Sequence, residues 1–303
     1  MREDTLVFVG PASPDLGRDI ALKINAPVVH ANVRLFPDGE SCVSGCVSGA
    51  HKRLVIVQGT HPPQDRHLQQ LYQMVEAARS QGDQEIICVV PYLAYSRQDR
   101  RSRPGEPLSA EIVLRTLQLL GADEVVTVDV HNPRIFDGVT MRWTSLSMVQ
   151  SVARHIASLS LAAPLIVAPD AGGERRTRLV AEQLRYPTLV LSKSKTDDGK
   201  TSYGRLGSEV SGRDAVVIDD LASSGSTLIP LVEALRAART KSISLVVTHL
   251  FADTAALQAA VGPEVRIFST DTVPSAASQI SLAPVVASYL SVDCVGRRDE
   301  RAA

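Results

Sequence analysis

Two stretches of this chain read as copies of each other. The first runs LVFVG, LGRDIALKI, APVV; the second runs LIVAPD, RTRLVAEQL, YPTLV. Ala26-Pro27 and Tyr186-Pro187 lie 160 positions apart, and the apolar runs 54–57 and 215–218 are offset by nearly the same amount. The helical segments that follow those runs also end alike, LYQMVEAARSQG and LVEALRAARTKS. An offset shared by three elements predicts two similar units, against the competing reading that α/β chains resemble one another by chance. A length of 303 residues accommodates two domains of ordinary size.

Short β-branched runs recur along both copies: TLVFV (5–9), RLVIV (53–57), EIICVV (85–90), EVVTVDV (124–130), PLIVA (164–168), AVVID (215–219) and SISLVV (242–247). Apolar runs without strict alternation predict strands buried on both faces. Their alternation with amphipathic helices predicts βα units and parallel sheets. The expected class is α/β, two similar domains, each a mainly parallel sheet flanked by helices, over 1–147 and 148–303. The last helix (281–290) is a candidate to pack back on the first domain, and the charged tail GRRDERAA is expected to fray.

Composition narrows the function. Hydrophobic residues at 44% and charged residues at 21% are enough for sizeable cores and exclude a disordered chain. With 32 Lys+Arg against 33 Asp+Glu, nothing draws the whole chain to nucleic acid or a membrane surface, and neither is an expected partner. Aromatics at 4% argue against base-stacking platforms. No apolar run approaches the ~18 residues that span a bilayer. The opening MREDTLVFVG lacks a signal-peptide layout, so a cytoplasmic location is expected. Cys42, Cys46, Cys88 and Cys294 do not make a disulfide framework. Cys42 and Cys46 lack a second Cys/His pair nearby, so zinc is not expected.

The copies diverge where chemistry would sit. After 215–219 comes Asp219-Asp220-Leu-Ala-Ser-Ser-Gly-Ser-Thr227; the matching stretch of the first copy is Gln58-Gly-Thr-His-Pro-Pro-Gln-Asp-Arg66. In open α/β sheets ligands bind beyond the carboxyl ends of strands. Small residues let backbone N–H groups approach a ligand, and a helix N-terminus favours an anion. Ser223, Ser224, Gly225, Ser226 and Thr227 therefore suit a phosphate, and the adjacent carboxylates suit sugar hydroxyls or a metal. An ordinary N-capped helix with two turn aspartates is the competing reading. The loop is not a Walker A motif, because it lacks the Gly-Lys-Ser/Thr ending.

PYLAYSRQDRRSRPGEPLS (91–109) packs Arg97, Arg100, Arg101 and Arg103 into seven residues, with Tyr92, Tyr95, Gln98 and Asp99 interleaved. Guanidinium groups clamp phosphate oxygens in pairs, so the run suits a polyphosphate, against a merely solvated basic loop. His131 and Asp170 each follow a strand end, and the two could share Mg²⁺, which keeps waters and takes phosphate oxygens. LFPDGE (35–40) is explained by its turn residues alone.

The acidic pair with its small-residue loop resembles the phosphoribosyl-diphosphate loop of type I phosphoribosyltransferases. FPDGE (36–40), PYLAYSRQDR (91–100), VDVHNP (128–133), APDAGGERR (168–176), LSKSK (191–195), IDDLASSGSTL (218–228) and STDTVP (269–274) together resemble the ribose-phosphate diphosphokinases, nearer the archaeal type. The resemblance implies two phosphoribosyltransferase-like domains. It implies transfer of the β,γ-diphosphoryl group of ATP to ribose 5-phosphate with Mg²⁺, in a homo-oligomer of at least two copies. Phe36, Asp38 and Glu40 match positions that hold adenine across a subunit boundary. Arg97 and Gln98 match ATP-contacting positions, and Asp99 and Arg100 continue that motif. His131 and Asp170 match the Mg²⁺–ATP positions, Asp219 and Asp220 those on the ribose hydroxyls, and Ser223 to Thr227 the 5-phosphate loop. Lys193 matches the catalytic lysine on a flexible loop, with Lys195 where many relatives have Arg. Ser223 stands where many have Asp, and Asp197-Asp198-Gly199 reads as an insertion in the catalytic loop. A catalytically inactive regulatory homologue is the alternative; retention of Lys193, His131, Asp170, Asp219 and Asp220 argues against it. A phosphoribosyltransferase acting on a base would have no use for PYLAYSRQDR.

Overall fold

The computed structural model describes residues 4–45, 47, 51–82, 84–130, 132–195 and 201–296. His131, Cys46, Asp197-Asp198-Gly199 and the tail from Arg297 lie outside the described residues. The chain divides into two compact units, Met1–Leu146 with the segment that starts at Leu282, and Ser147–Ser281.

The first unit contains β1 (Thr5–Val9), α1 (Pro14–Ile24), β2 (Val28–His30), β3 (Asn32–Leu35), β4 (Ser41–Ser44), β5 (Arg53–Val57), α2 (Gln64–Arg79), β6 (Glu85–Val89), α3 (Ser109–Leu119), β7 (Glu124–Val128) and β8 (Arg142–Leu146). The second contains α4 (Val149–Ser158), β9 (Pro164–Ala168), α5 (Glu174–Leu184), β10 (Thr188–Val190), β11 (Lys193–Lys195), β12 (Thr201–Tyr203), β13 (Asp214–Ala222), α6 (Leu228–Ala237), β14 (Ser242–Leu250), α7 (Thr254–Val261), β15 (Arg266–Thr270) and β16 (Ser278–Ile280). Helix α8 (Ala283–Gly296) closes the described chain.

Each unit is built on a six-stranded sheet, in the orders β2-β1-β5-β6-β7-β8 and β10-β9-β13-β14-β15-β16. All pairs within both sheets are parallel. Buried side chains run almost unbroken along β1, β5, β6 and β7, as apolar strands covered on both faces require. The two orders are one topology repeated.

The repeat extends to single hydrogen bonds. Helices α1 and α5 both end on a left-handed residue, Asn25 at φ 53° and Arg185 at φ 56°. The next amides, Ala26 and Tyr186, donate to the carbonyls of Ala21 and Ala181, each at 3.0 Å. Such a cap satisfies a last-turn carbonyl and turns the chain into the following strand.

Strand ends depart from the sequence reading where chemistry gathers. β7 stops at Val128 because Asp129 turns left-handed at φ 42°. β13 and β14 run on past their apolar stretches, Asp219 pairing with Val247 and Leu221 with His249. Each unit also carries an antiparallel ribbon after its β2-type strand: β3–β4 in the first, β11–β12 in the second. The segment after Lys193 lacks apolar periodicity and was expected to be a loop. It pairs as a ribbon, Lys193 opposite Tyr203 and Lys195 opposite Thr201, because backbone pairing needs no apolar run: Lys193–Lys195 is exposed and Thr201–Tyr203 only partly buried.

Helix α8 belongs to the first unit rather than to the second domain that its position in the sequence would give it. The Tyr289 hydroxyl donates to Glu124, a residue only 1% exposed, and accepts from Thr144 Oγ1 at 2.6 Å. The Arg53 guanidinium donates to the Leu290 carbonyl at 3.4 Å. Glu124 also lies 3.4 Å from the Arg142 guanidinium. A hydrogen bond to a buried charged group contributes about 1.5–3 kcal/mol. Tyr289→Phe is accordingly expected to lower stability by about 2 kcal/mol, read as a lower denaturation midpoint. An unchanged midpoint would mean that apolar packing alone holds the helix.

Candidate functional site

In the second unit the site grows from the end of β9. Asp170 caps a single 3₁₀ turn, Ala171–Gly173. Its Oδ1 accepts the amides of Gly172 at 2.8 Å and Gly173 at 3.2 Å, and its Oδ2 accepts the Lys193 ammonium. A side-chain Cβ at Gly173 would meet the Ile218 carbonyl at 3.8 Å, so this turn lies against the end of β13. Burial works against the Asp170 charge, but Lys193 and the two amides outweigh it and hold the carboxyl below its ordinary range.

Asp219 and Asp220 follow where β13 leaves the core, both half-buried. The Asp220 amide donates to Asp219 Oδ1 at 3.0 Å. Burial, then the charges of Asp220 and Asp170, push the Asp219 carboxyl up to about 7. Arg176, in the first turn of α5, comes within 3.7 Å of Asp220 Oδ2. Lys193 and Tyr203 face each other across the ribbon, and Lys195 lies two residues on, along the same face as Lys193. Lys195 is exposed.

Beyond β13 the chain turns at Gly225, φ 79°, into α6. The Ile229 amide donates to the Gly225 carbonyl at 2.9 Å, while the Thr227 side chain leaves the helix N-terminus uncapped. Ser223, Ser224 and Ser226 are exposed. Free amides, hydroxyls and the positive end of a helix together suit an anion. A side chain at Gly225 would be crowded: a Cβ would stand 3.0 Å from Leu257 Cδ1 and 3.3 Å from Ile229 Cδ1. Gly225→Val crowds those side chains and adds a left-handed strain of about 1–3 kcal/mol, so a lower denaturation midpoint is expected. An unchanged midpoint would mean that the turn absorbs the side chain.

In the first unit the basic run leaves β6 as a pinned loop. Thr60 Oγ1 donates to the Tyr92 carbonyl at 2.6 Å and accepts the Ala94 amide at 2.8 Å. Tyr95 turns left-handed at φ 62°, and the Gln98 amide closes the turn on its carbonyl at 2.8 Å. Arg97, Gln98 and Arg100 are thereby left exposed. Gln98 also accepts the Ser109 hydroxyl. Asp99 is held by Asn132 Nδ2 at 2.7 Å, which ties this loop to the one after β7. Arg101 turns to the Glu106 carbonyl at 3.0 Å. The Phe36–Glu40 turn closes the β3–β4 ribbon, the Phe36 amide donating to the Glu40 carbonyl at 2.8 Å. Arg34 stacks on the Phe36 ring, 4.5 Å from its centre, and Asp38 and Glu40 are exposed.

Comparison with known proteins places this geometry. Residues 5–121 match the N-terminal domain of ribose phosphate pyrophosphokinase, and residues 145–284 match the phosphoribosyl transferase domain. The chain is 31% identical to the ribose-phosphate pyrophosphokinase of Methanothermobacter thermautotrophicus over 92% of its own length and 97% of that protein. It is 32% identical to that of Methanopyrus kandleri over 90% and 94%. The chain belongs to the ribose-phosphate pyrophosphokinase family. In fold it superimposes on a phosphoribosylpyrophosphate synthetase from Mycobacterium smegmatis with a TM-score of 0.83 at 23% identity, covering 96% of this chain and 99% of that one. The expected fold of two phosphoribosyltransferase-like domains is therefore the fold observed.

For a member of this pyrophosphokinase family, the structure brings Lys193, Asp170, Asp219 and Asp220 together within the second unit. The Arg97–Arg100 loop and the Phe36–Glu40 turn belong to the first. Two residues of the second cluster were not singled out from the sequence. Arg176 could have been, as an arginine one turn beyond the Gly-Gly pair at a strand end. Tyr203 had no such signal, because its place depends on the ribbon pairing.

Proposed function

We propose that this protein is a ribose-phosphate diphosphokinase that forms phosphoribosyl diphosphate and AMP from ATP and ribose 5-phosphate. Family membership supports the activity. The observation that carries the residue assignment is the meeting of Lys193 with Asp170 beside the Asp219–Asp220 pair. The 5-phosphate would lie in the 223–227 loop against the N-terminus of α6, with Asp219 and Asp220 accepting the ribose hydroxyls. The arginines and Gln98 of the 97–100 loop would take ATP, with Asp99 fixing that loop through Asn132. Phe36, Asp38 and Glu40 would receive adenine from a neighbouring copy, which makes a homodimer the smallest active form. An active monomer would contradict that part.

The ribose 1-oxygen attacks the β-phosphorus in line. The bond from that phosphorus to the oxygen of the α-phosphate breaks, AMP leaves, and the hydroxyl proton passes to solvent. Such transfer needs little covalent chemistry from the protein; positioning and charge do most of the work. Lys193, with Lys195 next on the same face, would meet the charge gathering on the transferring group.

The residues fit Mg²⁺. Asp170 stays ionised and already accepts a cation on Oδ2, the Lys193 ammonium, and its carboxylate is a hard oxygen ligand of the kind Mg²⁺ takes. Asp170 would hold it; His131, matched to the same role by the resemblance, lies outside the described residues. Bound there, the ion supplies positive charge to the phosphate oxygens. No helix among the described residues is long and apolar enough to cross a membrane. A cytoplasmic location goes with this reading.

ATP labelled at the β-phosphorus tests the chemistry. Label recovered in phosphoribosyl diphosphate with AMP as co-product is expected. Release of ADP would mean transfer of a single phosphoryl group and would overturn the assignment.

A further inference from the structure

The Tyr203 hydroxyl is sealed from solvent and has no hydrogen-bond partner among the described residues. Buried hydroxyls nearly always have one, so an orphan inside a candidate site asks for an acceptor it meets in another state. Its ring packs on the apolar cluster of the second unit that contains Leu228, Leu231 and Val232. Its partner across the ribbon is Lys193. Residues directly opposite in an antiparallel pair project from the same face, so Tyr203 and Lys193 leave the ribbon on one side. On that side Lys193 bonds to Asp170. After burial, the charges of Asp170 and Asp219 are what push the phenol pKa upward, in line with a hydroxyl close to both carboxylates.

Lys193 bonded to Asp170 is drawn back from a diphosphoryl group, and turning fully to the phosphates lengthens or breaks that bond. Asp170 Oδ2 then gives up a hydrogen-bond donor beside two other carboxylates. We propose that Tyr203 is a positioning residue that donates its hydroxyl to Asp170 when Lys193 leaves it, keeping that carboxylate oriented through the transfer. This rests on the assignment of Lys193 to the transferring group. It adds a residue that acts on the reaction only through Asp170.

The test is a stability cycle on the unliganded full chain, with kinetics beside it. In the wild type the hydroxyl is an unsatisfied polar group, so Tyr203→Phe keeps the ring and should leave the melting temperature unchanged or raise it. With Lys193→Ala already present, the hydroxyl has taken over Asp170, and adding Tyr203→Phe should lower the melting temperature by about 2–4 °C. A residue that only packs would show the same shift in both backgrounds, and that result overturns the proposal. In the active enzyme, Tyr203→Phe should lower kcat about tenfold or more with the KM for ribose 5-phosphate held, as loss of an outer partner of a ligating carboxylate does. An unchanged kcat in an active wild type also overturns it. A wild type that makes no AMP refutes the activity instead, and the stability cycle still decides whether Tyr203 and Lys193 share Asp170.

Discussion

Lys193→Ala is expected to lower kcat about 10²–10³-fold while leaving the fold intact. The Lys193 side chain is 45% exposed, and ion pairs that open to solvent contribute little to stability. Its removal therefore tests chemistry rather than folding. Preorganised positive charge aimed at a developing anion is among the largest single terms in catalysis, and the loss of one such donor costs on the order of 10²–10³ in rate. Lys195 lies on the same face, but its exposed side chain makes no ion pair with Asp170 comparable to that of Lys193. Steady-state kinetics with both substrates saturating would check the value. A loss confined to KM would mean that Lys193 binds ATP and transition state alike.

Asp219→Asn should separate stability from activity in opposite directions. The Asp219 carboxyl is pushed up to about 7 by burial and by the charges of Asp220 and Asp170. An unfolded aspartate titrates near ~4, so between ~4 and about 7 the folded chain binds more protons than the unfolded one. Stability must then fall as pH rises through that window, because ionising Asp219 in the fold costs more than ionising it in water. An amide of the same shape avoids that cost. Denaturant titrations should find the variant equal to wild type near pH 4 and more stable by about 1–3 kcal/mol at pH 8. Diphosphoryl transfer should meanwhile fall by about 10²-fold, since a ribose hydroxyl loses a charged acceptor. Equal stability at both pH values would mean that the three carboxylates do not repel one another in the folded protein.

Much of this architecture was legible because the duplication leaves local traces. Ala26-Pro27 and Tyr186-Pro187 marked the repeat, and the left-handed caps at Asn25 and Arg185 show what was repeated. The apolar runs announced the central strands, since burial on both faces removes polar alternation. Their ends were not legible. Asp129 stops β7 by a backbone conformation, and Asp219 extends β13 by pairing with Val247, neither of which a hydrophobic pattern encodes. The polar ribbon around Lys193 was missed because its apolar anchor, Tyr203, is a single residue and makes no hydrophobic pattern. Helix α8 follows the second unit in sequence and was expected to return to the first, as it does, but its tie of Tyr289 to Glu124, between residues far apart in the chain, had no sequence signal. The acidic pair and its loop stood out as two carboxylates beside small residues at a strand end, but a capped helix explained them equally well, and only the family resemblance favoured the ligand reading. Tyr203 enters the cluster only through the fold, whereas Arg176 follows the Gly-Gly pair and was open to a sequence reading.

AMP release from Mg²⁺–ATP, measured with and without ribose 5-phosphate, tests the central claim most directly. The account predicts AMP only when ribose 5-phosphate is present, one per phosphoribosyl diphosphate formed. A folded, ATP-binding protein that releases no AMP in its presence, or releases it equally in its absence, would contradict the account.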